Sequence, residues 1–493
     1  MSVDFKKASN TIVLSDIHLA DAEPPHAYNP YWKRFKRPKY FVDRTFKRFL
    51  EYIDAKAASP IELVFNGDIF DFDSVMKIPA KYETKVNWLE RLRGLSAEEP
   101  KSKFKIQVIL SDHHIWVQAL RDFLLKGHRA VFVIGNHDME LHWPSVQQEI
   151  RSALDLPENL KNNVRFCEWF YISNQDTLIE HGNQYDAYCL CSNPINPLIR
   201  KGPFVVVRLP FGNLAGKYML NGMGLMNPHV DSSFIKNSLK EYLVFFYKYV
   251  VRTQPFLVFT WLWGAIVTLM YSVGEGLLPA MTDPLTIESR INDIADRSNS
   301  KVHTLLGLRE LHAHPAIFNP MRILRELWLD RAIVLVLILF GSFQVFTFMN
   351  VFTRASLWWF FVPAMLFMPA LIFYSRAIKS DVAKVQKMTF IKAPISARIA
   401  KVKRIIHGHT HHEGHTWTEG IEYINTGTWS PAYEDVECTK AMGRKCFAWI
   451  KPGTSGQRIS ELHEWKDDAA VLIKVIDTVT KDEEVKTFKS AII

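Results

Sequence analysis

The chain has 493 residues, a formal net charge of +9, and a composition that is 48% hydrophobic and 13% aromatic. A single hydrophobic core rarely serves so long a chain, so we expect more than one domain, and the aromatic content suggests contact with lipid. The five cysteines lack CxxC spacing, which argues against a secreted disulfide framework, and the positive charge is too dispersed to indicate nucleic acid by itself.

The first half of the chain repeats one pattern, in which a short apolar run ends in polar residues. The four runs are TIVLSDIH (11–18), IELVFNGD (61–68), AVFVIGNHD (130–138) and TLIEHG (177–182). Such runs are typical of strands buried on both faces, and helix-like stretches at 40–55 and 106–126 separate them. The alternation predicts a layered α/β domain with its polar residues at the strand ends, where open α/β sheets bind ligands. No signal-peptide-like run precedes the first strand, so we expect this part in the cytoplasm with reduced thiols.

The sequence pattern changes after residue 193. Three uncharged apolar runs follow at 255–273, 332–353 and 355–375. Each is about as long as the ~20 residues that cross a bilayer core as a helix. Trp and Tyr near the ends of these runs fit interfacial anchoring, as do the flanking Arg252, Arg331, Arg354 and Arg376. Buried core helices are the alternative, but three uncharged runs of this length favour a membrane.

Strand-like pattern returns with KRIIHGHT (403–410), IEYINTGTW (421–429) and CFAWIKPG (446–453). Three histidines occupy four consecutive positions, 409–412, and imidazole is the commonest protein ligand for transition metals. We therefore predict four segments. They are a core first part (1–193), a helical membrane-associated insertion (194–395), a core second part (396–460) and a charged tail (461–493).

Five polar blocks stand at the predicted strand ends. In chain order they are DIH (16–18), GDIFD (67–71), GNHD (135–138), HG (181–182) and GHTH (408–411). In this order the chain resembles the calcineurin-like metallophosphoesterase family, whose blocks run DxH, GDxxD, GNHD, H and GHxH. The resemblance covers roughly residues 10–183 and 400–430. It implies a four-layer α/β/β/α sandwich with two metal ions at one sheet edge, interrupted here by the α-helical membrane insertion.

The same resemblance implies a role for each block. The expected metal ligands are Asp16, His18 and His411 for one ion, Asn136, His181 and His409 for the other, and Asp68 as the bridge between them. Two divalent ions about 3.5 to 4 Å apart can clamp a phosphoryl group, and mixed N and O ligands suit Mn²⁺, which we favour, as well as Fe or Zn. His137 is expected to protonate the leaving oxygen, with Asp138 orienting its ring and Asp71 supporting the ligands by hydrogen bonding.

Other histidines are expected to be bystanders. The SDHH stretch (111–114) lies in a helix-like region and is predicted to be structural. His412 and His415 are predicted to be solvated, although a supporting role beside the last block is the alternative. We expect no metal at His312 or His314 in the insertion.

Within the family, VLSDIHLA and EHGNQYD look most like the UDP-2,3-diacylglucosamine hydrolase branch, which cleaves a pyrophosphate in lipid A synthesis. That branch usually carries Arg where this chain has His137. The expected function is a membrane-associated metal-dependent hydrolase of a phosphodiester or pyrophosphate bond in an amphiphilic substrate. The alternatives are a phosphodiesterase acting on nucleotides or nucleic acid, and a membrane scaffold that retains the fold.

A basic and aromatic segment at 21–48 supports lipid as the partner. Its interleaved Lys, Arg, Tyr, Trp and Phe suit anionic headgroups at a membrane interface, although they could also stack on single-stranded nucleic acid. Given the apolar insertion, we favour the membrane and expect no obligate nucleic-acid partner.

Parity constrains the topology. The expected ligands lie on both sides of the insertion and must meet on one side of the membrane, so the number of crossings is even. Three apolar runs are odd in number. We therefore predict that 238–273 lies in the cytoplasmic leaflet while 332–375 anchors the chain in the inner membrane, with the active site facing the cytoplasm. An insertion that never crosses is the alternative.

Overall fold

Short strands and intervening helices build two β-sheets in the computed structural model. It describes residues 5–80, 85–224, 244, 246–251, 254–281, 283–377, 382–433, 435–453 and 456–475. Within these residues the strands are β1 (Asn10–Leu14), β2 (Ile61–Asn66), β3 (Arg129–Val133), β4 (Val164–Cys167), β5 (Phe170–Ser173), β6 (Thr177–Glu180), β7 (Leu198–Lys201), β8 (Phe204–Val207), β9 (Arg404–His407), β10 (Gly414–Thr418), β11 (Ile421–Asn425), β12 (Ala432–Tyr433), β13 (Ala441–Met442), β14 (Cys446–Pro452), β15 (Arg458–Lys466) and β16 (Ala469–Leu472).

The helices surround these sheets. Over the same described residues they are α1 (Asp43–Lys56), α2 (Trp88–Arg93), α3 (Glu99–Asp112), α4 (His114–Leu125), α5 (Pro144–Leu154), α6 (Phe211–Tyr218), α7 (Leu257–Leu277), α8 (Ile287–Arg297), α9 (Val302–Glu310), α10 (Pro320–Glu326), α11 (Leu329–Phe352), α12 (Trp358–Ala377) and α13 (Val382–Ala400). The predicted helix at 106–126 is broken at His113, because its ring bonds to Asp43 Oδ1 and to the Ala20 carbonyl, each at 2.8 Å. These contacts give His113 a structural role, as predicted for the SDHH stretch.

Seven strands form the larger sheet, in the order β16-β15-β14-β1-β2-β3-β4, and five form the smaller one, β10-β11-β9-β6-β5. Strands β1 to β4 run parallel, with Val13 opposite Val64 and Val64 opposite Val131. In the smaller sheet β9 runs parallel to both β6 and β11. Parallel neighbours end at the same edge, so the polar residues that follow β1, β2, β3, β6 and β9 converge there.

The two sheets pack face to face. Val13, Val131, Ile179 and Ile406 belong to one buried cluster between them. Alternation along each strand turns the next side chains outward, where helices cover them. Phe65 and Phe132 of the larger sheet pack with Phe46 of α1 and Trp116 of α4. The predicted mixed α/β fold is therefore confirmed.

The outer face of the smaller sheet is covered from inside the predicted insertion. Leu178 and Ile405 share a cluster with Ala295 of α8, Leu305 of α9 and Ala393 of α13. Apolar strand faces need such a cover, so part of 194–395 completes the sandwich. The same stretch also contains the β7–β8 hairpin and is not purely helical. The four segment boundaries stay a prediction.

Among the residues that the structure describes, three helices, α7, α11 and α12, are long and apolar enough to cross a membrane. The most apolar window of α7 is 22% buried, whereas those of α11 and α12 are 6% buried. Helix α7 presents Gly264, Thr268 and Ser272 to the protein, and a Cβ at Gly264 would lie 2.9 Å from the Met219 Cα. Much of the predicted interfacial stretch 238–252 lies outside the described residues, as does the tail beyond residue 475.

A fully buried ion pair joins α3 to the turn after β3. Lys105 Nζ lies 2.5 Å from Glu140 Oε1, and both side chains are wholly inaccessible to solvent. Removing the lysine charge would leave Glu140 buried without a counter-charge. We therefore expect Lys105→Met to lower the free energy of unfolding by roughly 3–5 kcal/mol. Chemical denaturation in detergent would measure the change.

Lys103→Met, on the same helix, is the matched control. Lys103 Nζ pairs with Glu149 Oε1 at 3.0 Å, but its side chain is half exposed, so the loss should stay below about 1 kcal/mol. Equal losses in the two variants would show that burial of the Lys105 pair has no energetic consequence.

Candidate metal centre

The expected ligands stand on tight turns at the shared sheet edge. Asp16, His18, Asp68, His409 and His411 all have positive φ angles, between 54° and 64°. Such backbone is uncommon for residues other than glycine and persists only where the surroundings hold it. Here hydrogen bonds between blocks do so: the Asp16 amide donates to the Gly67 carbonyl at 3.1 Å, and the His18 amide to the Asp68 carbonyl at 3.0 Å.

Two clusters of ligand atoms result. One contains Asp16, His18 and His411, and in it His411 Nε2 lies 3.2 Å from Asp16 Oδ1. The other contains Asp68, His181 and His409, and here His181 Nε2 lies 3.1 Å from Asp68 Oδ2. His181 Nε2 is also 4.0 Å from Asp16 Oδ1, so the clusters adjoin.

The donor set fits two divalent ions. Among the described residues, Asn136 Oδ1 is buried without a hydrogen-bond partner, which is costly unless something else binds it. Carboxylate, amide and imidazole ligands together suit a divalent transition metal. The structure thus brings together the sequence-predicted ligands, including Asn136, whose neighbour Gly135 lies against Asp68: a Cβ there would be 2.3 Å from Asp68 Oδ1. The metal identity stays a prediction.

Hydrogen bonds from outside the clusters orient two of the imidazoles. His181 Nδ1 donates to the Asn66 carbonyl at 2.8 Å, which leaves Nε2 facing Asp68. His409 Nε2 lies 3.1 Å from Asp186 Oδ2, which leaves Nδ1 as the nitrogen available to an ion. Such outer contacts fix the tautomer and the ring orientation of metal-binding histidines. Asp186 lies in the EHGNQYD stretch, but sequence reasoning assigned it no role.

The predicted partner of His137 is corrected by the structure. Both carboxylate oxygens of Asp138 accept backbone amides, from Gly135 at 2.5 Å and from Ile69 at 2.9 Å. The carboxylate beside the His137 ring is that of Asp71, with Oδ1 3.4 Å from Nδ1. Asp138 follows His137 directly in the chain, but its side chain turns back to close the GNHD turn. Asp71 therefore orients His137, and Asp138 holds the loop that carries Asn136.

Charge sets the protonation of His137. Burial alone would lower its pKa, but the carboxylates of Asp68 and Asp71 outweigh that effect and raise the pKa to about 10. The His137 amide also donates to Asp68 Oδ1 at 2.7 Å, so this residue touches the carboxylate predicted to bridge the ions through its backbone. A protonated imidazole at this position can act as a general acid.

Asn213 supports the candidate centre, although no sequence motif marks it. Asn213 of α6 is fully buried, and its Nδ2 donates to the Asn136 carbonyl at 2.7 Å and to Asp73 Oδ2 at 2.5 Å. It lies within the predicted insertion and in none of the five blocks. Helix α6 therefore braces the loop that carries a predicted ligand.

The remaining histidines differ in their surroundings. His415, predicted to be solvated, is buried and its Nε2 lies 2.8 Å from Glu422 Oε1 in the neighbouring strand, so that prediction is wrong. His312 is partly buried, and its ring lies edge-on against Trp169. Over the described part of the chain, neither His312 nor His314 belongs to a group of potential metal ligands.

Comparison with known proteins identifies the domain. Residues 9–206 match the family model described as calcineurin-like phosphoesterase. No curated protein matches the chain. Among solved structures, the chain is similar to a Staphylococcus aureus protein described as a 5′-nucleotidase, in complex with alpha-ketoglutarate. The identity is 10% and the TM-score 0.25, over 98% of this chain and 58% of that one. So low a TM-score carries no structural argument.

The chain thus carries a calcineurin-like phosphoesterase domain, and the match confirms the predicted enzyme class, a metal-dependent phosphoester hydrolase, at the level of this domain. The resemblance to the UDP-2,3-diacylglucosamine hydrolase branch and the individual ligand roles stay predictions.

The corrected pairing is testable by a pH profile. Asp71→Asn removes a charge that raises the pKa of His137, so the acid is lost at a lower pH. We expect the alkaline limb of kcat to move to lower pH and kcat to fall at least about tenfold. Metal content, measured by elemental analysis, should stay near that of the unsubstituted protein.

Asp138→Asn is the matched control, since it also neutralises a buried carboxylate. It should weaken the loop of Asn136 and lower metal content without moving the alkaline limb. If the alkaline limb of kcat moved in Asp138→Asn but not in Asp71→Asn, Asp138 rather than Asp71 would be the partner of His137.

Proposed function

We propose that this calcineurin-like phosphoesterase domain hydrolyses a phosphodiester or pyrophosphate bond in a lipid-linked, amphiphilic substrate at a membrane surface. The observation that carries the proposal is that one chain contains both two adjoining clusters of potential metal ligands and an exposed apolar hairpin, α11–α12. A UDP-diacylglucosamine-like molecule is the substrate class that the sequence resemblance favours.

Each residue of the centre would have a definite task. The two ligand clusters would hold divalent ions, which supply charge neutralisation and in-line positioning of the phosphoryl group. His137, protonated and oriented by Asp71, would give its proton to the leaving oxygen. Asp138 and Asn213 would keep the turn of Asn136 in place through its backbone.

The α11–α12 hairpin supports membrane anchoring. Helix α11 has 24 residues, which at 1.5 Å each gives about 36 Å, enough for a hydrocarbon core of about 30 Å. Leu337 and Phe348 of α11 and Leu366 of α12 are more than half exposed. At its base Tyr374 donates to Asp330 Oδ2 at 2.9 Å, so both helices leave the protein together. A crossing hairpin returns the chain to its starting side, as parity requires.

Helix α7 has the character of an in-plane element. Its small residues lie against α6, while Phe259, Ile266 and Met270 are exposed on the other side. Because α7 packs on the protein along one side and exposes apolar side chains on the other, we assign it to one leaflet without a crossing. Within the described part of the insertion, two crossings by α11 and α12 and none by α7 give an even count.

The basic segment contributes less than its sequence suggests. Lys33 and Lys36 are buried, and Lys36 Nζ lies 2.5 Å from Asp21 Oδ1. They are therefore structural, and only neighbours such as Lys39 remain exposed enough to meet a headgroup. A soluble nucleotide phosphodiester would fit the same ion centre, so the substrate is the point to test. The complete ligand set disfavours a scaffold without activity.

Substrate preference separates these readings. Protein purified in detergent with Mn²⁺ should cleave bis-p-nitrophenyl phosphate and lose this activity with a chelator. We expect kcat/KM for an acylated UDP-sugar pyrophosphate to exceed that for the same UDP-sugar without acyl chains by at least about tenfold, because apolar contacts would add binding energy. Asp68→Asn is the control for contaminating hydrolases.

Equal or better cleavage of the chain-free nucleotide would transfer the assignment to a nucleotide phosphodiesterase. Cleavage of neither pyrophosphate, with the generic diester still hydrolysed, would exclude the lipid pyrophosphate but keep the enzyme class.

Topology can be tested by cysteine accessibility. Single cysteines at Lys161 and Lys401 should react with an impermeant maleimide only from the cytoplasmic side of oriented vesicles. A cysteine at Arg354, in the hairpin turn, should react only from the opposite side. The unsubstituted chain gives the background of native cysteines. Labelling of the cysteines at Lys161 and Lys401 from opposite sides would contradict the proposed topology. Labelling at Arg354 from the cytoplasmic side would favour an insertion that never crosses.

A further inference from the structure

A third group of ligand atoms adjoins the ion centre. Asp186, Cys189 and His409 place a carboxylate oxygen, a thiol sulfur and an imidazole nitrogen within 4.8 Å of one another. His409 Nε2 lies 3.1 Å from Asp186 Oδ2. Asp186 and His409 are nearly buried, whereas Cys189 is partly exposed.

The turn that carries two of these groups is well fixed. The amides of Cys189 and Leu190 donate to the Asp186 carbonyl at 3.1 and 2.9 Å. The Tyr188 amide donates to Asp186 Oδ1 at 2.8 Å, which leaves Oδ2 for the cluster. Helix α6 closes one side, because a Cβ on Gly212 would lie 2.9 Å from the Cys189 sulfur. Hydrogen bonds and packing of the chain itself therefore hold the three groups together.

We propose that Asp186, Cys189 and His409 form a third metal site, selective for thiophilic divalent ions such as Zn²⁺ or Cd²⁺, whose occupation inhibits the enzyme. A sulfur, nitrogen and oxygen donor set is typical of zinc, with solvent completing a fourth position. Harder ions such as Mn²⁺ or Mg²⁺ prefer oxygen ligands and have little affinity for a thiol. The site would thus discriminate between the working ions and an excess of a softer one.

Inhibition follows from the shared imidazole. With Nε2–H donating to Asp186, His409 has Nδ1 free for the two-ion centre. A third ion bound at Nε2 displaces that proton, and the Cys189 thiol loses its own, so two protons pass to solvent. The Asp186 contact that orients the ring is then replaced by an ion. Contacts of this kind change metal affinity or activity by about 10- to 100-fold when they are lost. The inhibitory effect rests on the proposed phosphoesterase function, whereas ion binding does not.

Cobalt gives a readout that needs no activity. Protein loaded with Mn²⁺ is titrated with Co²⁺, and a cobalt–thiolate charge-transfer band in the near ultraviolet is recorded together with the bound ions per chain after gel filtration. We expect one ion beyond the resident two, and the band. Cys189→Ser should lose both. Cys191→Ser, two residues away and outside the cluster, should keep both.

A second measurement uses the unsubstituted chain, in case Cys189→Ser does not fold. Cd²⁺ should slow alkylation of Cys189, followed by mass spectrometry, at least tenfold relative to Mn²⁺. Zinc in excess should lower hydrolysis of the generic diester at least tenfold, and less in Cys189→Ser than in Cys191→Ser. A missing thiolate band, or a band that persists in Cys189→Ser, would overturn the site. A normal band in a protein without hydrolase activity would overturn the proposed function alone.

Discussion

The pairing of β9 with β6 is the contact on which the centre depends. It places Ile405 opposite Leu178 and Ile406 opposite Ile179, joining segments more than two hundred residues apart in the chain. Without this register the GHTH block would not reach Asp16 and Asp68. The pairing also returns the chain, after the hairpin, to the edge from which it left. The sandwich is therefore closed by the same hydrogen bonds that complete the ion centre.

Protons and metal ions compete for this edge. Burial would raise the pKa of Asp68, but the positive charges of His181 and His137 outweigh it and hold this pKa well below the usual range. Burial would likewise lower the pKa of His181, yet Asp68 and Asp16 raise it to about 9. A divalent ion at this edge would take over the charge balance from His181 and leave it as a neutral ligand, so ion binding would release a proton.

Much of this architecture can be predicted from the sequence, because strand ends and the block order depend on local chain pattern. Each ligand follows a short apolar run, and parallel strands bring such ends to one edge. The partner of His137 could not be predicted, since it depends on the direction in which Asp138 leaves a tight turn. Asn213 was missed because nothing in FGNLAGKY marks a residue that braces a distant loop. The cover of the smaller sheet was missed because α8, α9 and α13 lie within an apolar, helical stretch whose sequence suggests lipid.

The contacts at the protein-proximal end of the α11–α12 hairpin have a consequence for the biosynthesis of the protein. Tyr374 of α12 binds Asp330 of α11, and Leu329 packs with Tyr188, Ala265 and Ile323. His409 and His411 are synthesised only after this hairpin, so the centre stays incomplete while the apolar helices emerge from the ribosome. Under the proposed topology, a chain whose hairpin fails to insert would hold those helices in water beside the last strands to be added. Membrane insertion would then be a checkpoint in biogenesis, and the catalytic edge would assemble only on chains already delivered to their surface.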